Sequence, residues 1–197
     1  MAPAYRITYF DIPALGEPAR WLFTYGGIDF EDRRLTFEEW PALKGQTPFG
    51  QVPILEHNGK TVSQSVAIAR YAGKLVGLAG KDDWEDLEID SVVDTMNELE
   101  LKVRPYAVET NEEKKQKLKE DLLKETIPFY CSRLDERIKN NGGYFVGGHL
   151  TWADVYATSL SFLFRELLEG YANLKKLREA IIENKNIKEY LVKHPIP

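Results

Sequence analysis

Four short segments of this chain carry side chains that can do chemistry together. Tyr9, in "ITYF", stands where an alternating run gives way to a loop, and its phenol is a donor that can be aimed at a thiol. A free thiol has a pKa near ~8.5, so only about 3% is thiolate at neutral pH, and lowering it by roughly two units takes about 2.7 kcal/mol. One hydrogen bond to a charged group contributes about 1.5 to 3 kcal/mol, so a single well-placed phenol supplies most of that. Equally, a strand tyrosine can be core. Val52-Pro53, in "FGQVPILE", is an X-Pro bond of the kind found cis in tight turns, which would turn the N–H and C=O of Val52 toward an extended peptide; the plainer reading is an edge-strand guard. Gln64 and Ser65, in "SQSVAIARYAG", open a helix whose N–H groups and dipole suit a carboxylate, unless Ser65 merely caps it. Trp40 and Lys44, four residues apart on a helical turn, offer an indole donor and an ammonium to a second carboxylate, with packing the alternative for Trp40. On the functional readings the implied ligand is an extended peptide, and the nucleophile would then be its own sulfur.

The elements that must hold these groups follow from periodicity. Tyr5, Ile7 and Tyr9 alternate with Arg6, Thr8 and Phe10 in the pattern of a half-buried strand. Pro18 suits the first turn of a helix that runs from Ala19 to Tyr25 and stops at Gly26-Gly27. "DFEDRRL" is a weaker second strand, and "VPILEHNGKTVSQS" reads as a strand, an Asn58-Gly59 hairpin turn and a return strand, with Pro53 at the strand start. A helix from Ser65 to Val76 closes the unit. After Gly80 the pattern becomes helical: Ile89, Val92, Val93, Met96, Leu99 and Val103 make one stripe, and Leu123, Ile127, Tyr130, Leu134 and Ile138 a second, with a kink expected at Pro128. Glu112 to Lys124 reads as a solvated helix start, and Thr151 with Asp154 as a capping box. The expected architecture is an α/β thioredoxin-like domain with a mixed four-stranded sheet over residues 1–80 and an all-α bundle over residues 81–197, the two packed together because the intervening segment is short.

Composition narrows the function. No apolar run reaches the roughly 20 residues needed to span a bilayer, and the N-terminus lacks a basic and apolar leader, so a soluble cytoplasmic protein is expected. A net charge of -5 with no basic cluster argues against a nucleic-acid partner. His57, His149 and His194 are far apart and Cys131 is the single cysteine, so neither a metal site nor a disulfide is expected, and Cys131 reads as a small buried hydrophobe. Asp90, Asp94 and Glu98 form an i, i+4, i+8 acidic row that calls for a facing cation, from a partner subunit or a ligand ammonium, or more simply from Lys102.

Taken in order, "YFDIPALGEPAR", "FEEWPALK", "PFGQVPILE", "SQSVAIARYAGK", "EIDSVVDTMNE" and "LTWADVY" resemble the cytosolic glutathione transferases of the sigma class, the arthropod members most closely. That class also holds the haematopoietic prostaglandin D synthases and the squid lens crystallins. The resemblance implies a homodimer that uses glutathione as co-substrate, with no tightly bound cofactor and no membrane partner. Tyr9 would stabilise the glutathione thiolate, Trp40 and Lys44 would hold the glycyl carboxylate, and Gln51, Val52 and cis Pro53 would pair with the cysteinyl backbone. Gln64 and Ser65 would take the γ-glutamyl end, whose ammonium would meet Glu98 from the other subunit. Phe10, Leu15, Tyr106, Tyr156 and Leu160 are candidates for the electrophile pocket.

The chain departs from the vertebrate prostaglandin synthases at Leu15, Gln51 and Asn97, where that group has an arginine, a lysine and a metal-linked aspartate. These departures count against prostaglandin isomerase activity and metal activation. The expected activity is conjugation of glutathione to small hydrophobic electrophiles, such as lipid-peroxidation aldehydes and halogenated aromatics. A glutathione-dependent lipid isomerase or peroxidase, and a crystallin-like structural protein, are the alternatives.

Overall fold

The computed structural model of the protein describes residues 3–195. Four strands form one mixed sheet in the order β2-β1-β3-β4, with β1 at Tyr5–Phe10, β2 at Phe30–Leu35, β3 at Ile54–His57 and β4 at Lys60–Ser63. β1 runs parallel to β2 and antiparallel to β3, and β3 is antiparallel to β4. Asn58 and Gly59 both adopt positive φ, which is what a two-residue hairpin turn matched to strand twist requires. The expected alternation along β1 is only partly observed: Thr8 is as fully enclosed as Ile7, since a central strand is covered on both faces.

Helix α1, Glu17–Tyr25, links β1 to β2. Its proline sits in the first turn, where a missing N–H costs little, and its last carbonyls are taken up by the amides of Gly26, Gly27 and Ile28 at 2.9 to 3.1 Å. The short α2, Trp40–Lys44, follows β2 and α3, Ser65–Leu75, follows β4. Ala19, Leu22 and Phe23 of α1 and Ile68, Ala69 and Ala72 of α3 are buried, and the two helices pack together.

The chain divides into two compact units, one comprising Met1–Ala79 with Ile182–Pro197 and the other Gly80–Ile181. The division near residue 80 coincides with the change in periodicity. The C-terminal stretch differs from the expected partition and joins the first unit. There α9, Lys185–Lys193, is capped by the Asn184 side chain and buries Ile187 and Tyr190, packing on α1.

The second unit is helical. Helix α4, Asp83–Val108, starts at Asp82, whose side chain accepts from the amides of Trp84 and Glu85, and its stripe from Ile89 to Val103 is buried as expected. Helix α5, Glu112–Asp121, has no buried residue, in keeping with a solvated helix. A π-helical turn, Leu122–Thr126, leads into α6, Ile127–Asn140, whose second residue is Pro128, where a kink is expected. The wider turn accommodates a proline that has no N–H to offer and whose ring would otherwise meet the carbonyl of Lys124. It sets Leu122 and Ile127, five residues apart, on one buried stripe with Cys131, Leu134 and Ile138, so Leu123 falls outside; within α6, Cys131 takes the buried position in place of Tyr130. Helix α7, Trp152–Ser161, is buried all round, and a 3-10 segment and α8, Ala172–Ile182, follow.

The capping box at the start of α7 is present. Asp154 accepts from the Thr151 amide at 2.7 Å, the Thr151 hydroxyl at 2.9 Å and the Phe145 amide at 2.8 Å. Burial nevertheless pushes its carboxyl up to about 6, against the pull of those donors. Asp154→Ala leaves three enclosed donors unmatched, and at about 1 kcal/mol or more for each it should lower the unfolding free energy by about 3 kcal/mol. Urea denaturation checks this, and an unchanged midpoint would contradict the role given to the box.

Candidate functional site

Strand register gathers the chemistry of the first unit at one end of its sheet. Thr8 pairs with Ile54 and Ile54 with Ser63, so Tyr9 and Phe10 of β1, Val52-Pro53 before β3 and Gln64-Ser65 after β4 all lie beyond the same edge. Tyr9 and Phe10 also pair with Arg34 and Leu35 of β2, after which the chain enters α2. Carboxyl ends of parallel strands are where open sheets bind ligands.

Tyr9 is 6% exposed. Its ring lies against Gly16, where a β-carbon would fall 2.4 Å from Tyr9 Cγ, and the Arg20 guanidinium carbon is 5.8 Å from the ring centroid. Trp40 and Lys44 are the first and last residues of α2. The Trp40 ring is 5.7 Å from that of Phe10, and Phe10 stacks on Phe37 at 4.7 Å. Thr47 ties α2 to the next loop: its hydroxyl donates to the Lys44 carbonyl at 2.9 Å and accepts from the Gln51 amide at 3.1 Å. Gln51 is exposed, Val52 half-buried and Pro53 buried, and the Val52-Pro53 bond is cis. Gln64, not Ser65, occupies the N-cap of α3, so Ser65 is the first helical residue and not the cap. Gln64 has φ +84°, a conformation that costs a non-glycine residue about 1–3 kcal/mol and is retained chiefly where function fixes it.

The remaining candidates are Leu15 in the first unit and Glu98, Tyr106, Tyr156 and Leu160 in the second. Leu15 is half-buried in the loop before α1. In the helical unit Glu98 is exposed on α4 and accepts from the Tyr130 hydroxyl at 3.3 Å. Tyr106 is buried on α4; its hydroxyl donates to Glu166, and burial first and that carboxylate second push its pKa to about 12. Tyr156 and Leu160 are wholly enclosed on α7, and the Tyr156 hydroxyl donates to Asn97 Oδ1 at 2.7 Å. Cys131 is buried, and burial followed by Asp135 raises its thiol to about 12, which fits an inert side chain.

Sequence reading passed over two residues next to Tyr9. Gly16 is needed for close approach, and Arg20, with no exposed surface, sends both terminal nitrogens to the Phe10 carbonyl at 3.3 Å. The signal was present in "GEPARWLF", where an acid and an arginine three residues apart interrupt an apolar helix.

A thioredoxin-like sheet with polar groups at its strand ends, joined in one chain to a helical unit, defines the architecture of the glutathione transferases. Residues 5–74 match the N-terminal domain of glutathione S-transferase and residues 97–194 the C-terminal domain. The chain is 47% identical to a glutathione S-transferase of Anopheles gambiae, with 98% of each covered, and 36% identical to the hematopoietic prostaglandin D synthase of Rattus norvegicus, again with 98% of each covered. A solved structure of prostaglandin synthase D of Nilaparvata lugens superposes with a TM-score of 0.90 at 44% identity, covering 99% of this chain and 100% of that one. The chain belongs to the glutathione S-transferase family and is an enzyme of that kind.

Gly16→Ala tests the packing around Tyr9. A methyl group there cannot coexist with the ring, so the variant should lose about 1 to 3 kcal/mol of stability by overpacking. Its conjugation rate should fall at temperatures where it remains folded. Chemical denaturation with initial-rate assays checks both, and native stability with native activity would show that the ring does not need this contact.

Proposed function

We propose that this chain is a sigma-class cytoplasmic transferase in which Tyr9 donates a hydrogen bond to the thiolate of bound glutathione. The observation that carries the reading is that Tyr9 stands at the same end of the sheet as Val52-Pro53, Gln64 and, through β2, α2. In this reading the backbone of Val52, flanked by Gln51 and Pro53, pairs with the cysteinyl residue of glutathione. Trp40 and Lys44 take the glycyl carboxylate, Gln64 and the free amides of the first turn of α3 take the γ-glutamyl carboxylate, and Ser65 adds its hydroxyl there. In a homodimer Glu98 of the second subunit meets the γ-glutamyl ammonium.

The electrophile is small and apolar, a proposal supported by Leu15 and Phe10. With an α,β-unsaturated aldehyde the sulfur lone pair forms a C–S bond at the β-carbon, the π pair moves onto the carbonyl, and water returns a proton to the α-carbon. With a halogenated aromatic the C–S bond forms and halide leaves. The names of the Rattus norvegicus and Nilaparvata lugens proteins favour a second reading, glutathione-dependent prostaglandin isomerisation. Incubation with a prostaglandin endoperoxide and analysis of products separates the two.

Tyr9→Phe should keep its affinity for glutathione, because the binding contacts lie elsewhere. Its conjugation rate at neutral pH should fall about 10 to 100-fold, the equivalent of one hydrogen bond to a charged sulfur. Calorimetry with glutathione and steady-state kinetics check this; parallel loss of binding and rate would make Tyr9 a structural residue. Glu98→Ala should weaken glutathione binding by about 1.5 kcal/mol or more, as loss of a charged hydrogen-bond partner does. Unchanged binding with weaker dimerisation would assign the acidic row to the interface.

A further inference from the structure

Five side chains of the first unit close into a ring of charge-assisted hydrogen bonds. Arg20 Nη1 donates to Glu17 Oε2 at 3.2 Å and Arg20 Nε to Asp32 Oδ1 at 2.8 Å. Arg34 Nε donates to Asp32 Oδ2 at 2.8 Å, and Arg34 Nη2 to the Tyr190 hydroxyl at 2.9 Å. The Tyr190 hydroxyl then donates to Glu17 Oε1 at 2.7 Å, which completes the circuit. Trp21 Nε1 adds a donor to Glu17 at 3.1 Å, and Asp11 accepts from Arg34 Nη1 at 2.5 Å. Four members come from α1 and β2. The fifth stands on α9, at the far end of the sequence.

This ring touches the strand end that carries Tyr9 in three ways. Arg20 holds the Phe10 carbonyl with both terminal nitrogens, its guanidinium lies beside the Tyr9 ring, and Arg34 is the register partner of Tyr9 across β1 and β2. Gly16, against which the Tyr9 ring rests, immediately precedes Glu17.

We propose that Tyr190 is a positioning residue for thiol activation, closing the ring that fixes Arg20 and, through Arg20, the direction of the Tyr9 phenol. The proposal rests on the reading of Tyr9 as the thiol-activating group. Glu17 is 3% exposed and Arg20 not at all, so solvent cannot stand in for a lost partner. Without the Tyr190 hydroxyl, Glu17 Oε1 keeps only the indole donor and Arg34 Nη2 loses its acceptor. The Glu17 carboxylate then draws more strongly on Arg20, and the guanidinium turns from the Phe10 carbonyl. A hydrogen bond from phenol to sulfur weakens steeply with angle, so a small shift at Phe10 reaches the chemistry.

Tyr190→Phe removes the hydroxyl and keeps the ring. Its kcat for conjugation at neutral pH should fall about tenfold, with KM for glutathione within about twofold, and the acid limb of the kcat/KM pH profile should move up by about one unit. In a Tyr9→Phe background the same change should add almost nothing, since Tyr190 acts through Tyr9. A pH profile unmoved by Tyr9→Phe alone would sink the reading of Tyr9 whatever Tyr190 does. A profile moved by Tyr9→Phe but not by a folded Tyr190→Phe would overturn the ring proposal, as would equal losses from Tyr190→Phe in both backgrounds. Should Tyr190→Phe fail to fold, Arg34→Lys carries the same test, because a lysine ammonium can keep an acidic partner but not span to Tyr190.

Discussion

A guanidinium with no solvent-exposed surface is the constraint on which the first unit depends. Removing such a charge from water costs several kcal/mol, so Arg20 is tolerable only where every direction it faces holds an acceptor. Those acceptors are Glu17 on its own helix, Asp32 on β2 and the Phe10 carbonyl at the end of β1. Satisfying one side chain therefore fixes α1 against both parallel strands. The place it fixes is the strand end from which Tyr9 projects, so the polar network and the chemistry have a common origin. A pair that α1 could form alone would hold only the helix; the link to Asp32 and Phe10 turns a local contact into a tertiary one.

Much of this was legible because local rules agree with the global fold. Pro18 and Gly26 bracket α1, Asn58-Gly59 turns the hairpin, and Thr151 with Asp154 starts α7, each through backbone chemistry that acts within four residues. The candidate site residues stood out for a related reason: they sit at element ends, where caps and turns leave a signature. What escaped acts over long separations. Nothing near Lys185 says that α9 returns to α1, and Tyr190 meets Glu17 across 173 residues. The second stripe departs at Leu123, where a π turn puts Leu122 five residues before Ile127, a step that a 3.6-residue period cannot anticipate, and at Tyr130, whose neighbour Cys131 takes the buried position. Tyr156 and Leu160 lie on α7, which is buried on every face, so no periodicity distinguishes its sides.

Gln64 stands between these cases. Its type suggested an amide for a carboxylate, while its positive φ is visible only in the structure. A strained N-cap without a side-chain cap bond is poor design for stability. It suits a binding role, since the first-turn amides of α3 have no side-chain cap competing for them.

Thiol activation by Tyr9 is the central claim, and the ultraviolet absorbance of the thiolate reads it directly. Titrating the difference spectrum of bound glutathione against pH should give a midpoint about one to two units below that of the free thiol, returning toward the free value when Tyr9 is phenylalanine. Glutathione that binds and titrates as it does in solution would contradict the account, leaving a protein that holds the peptide without activating its sulfur.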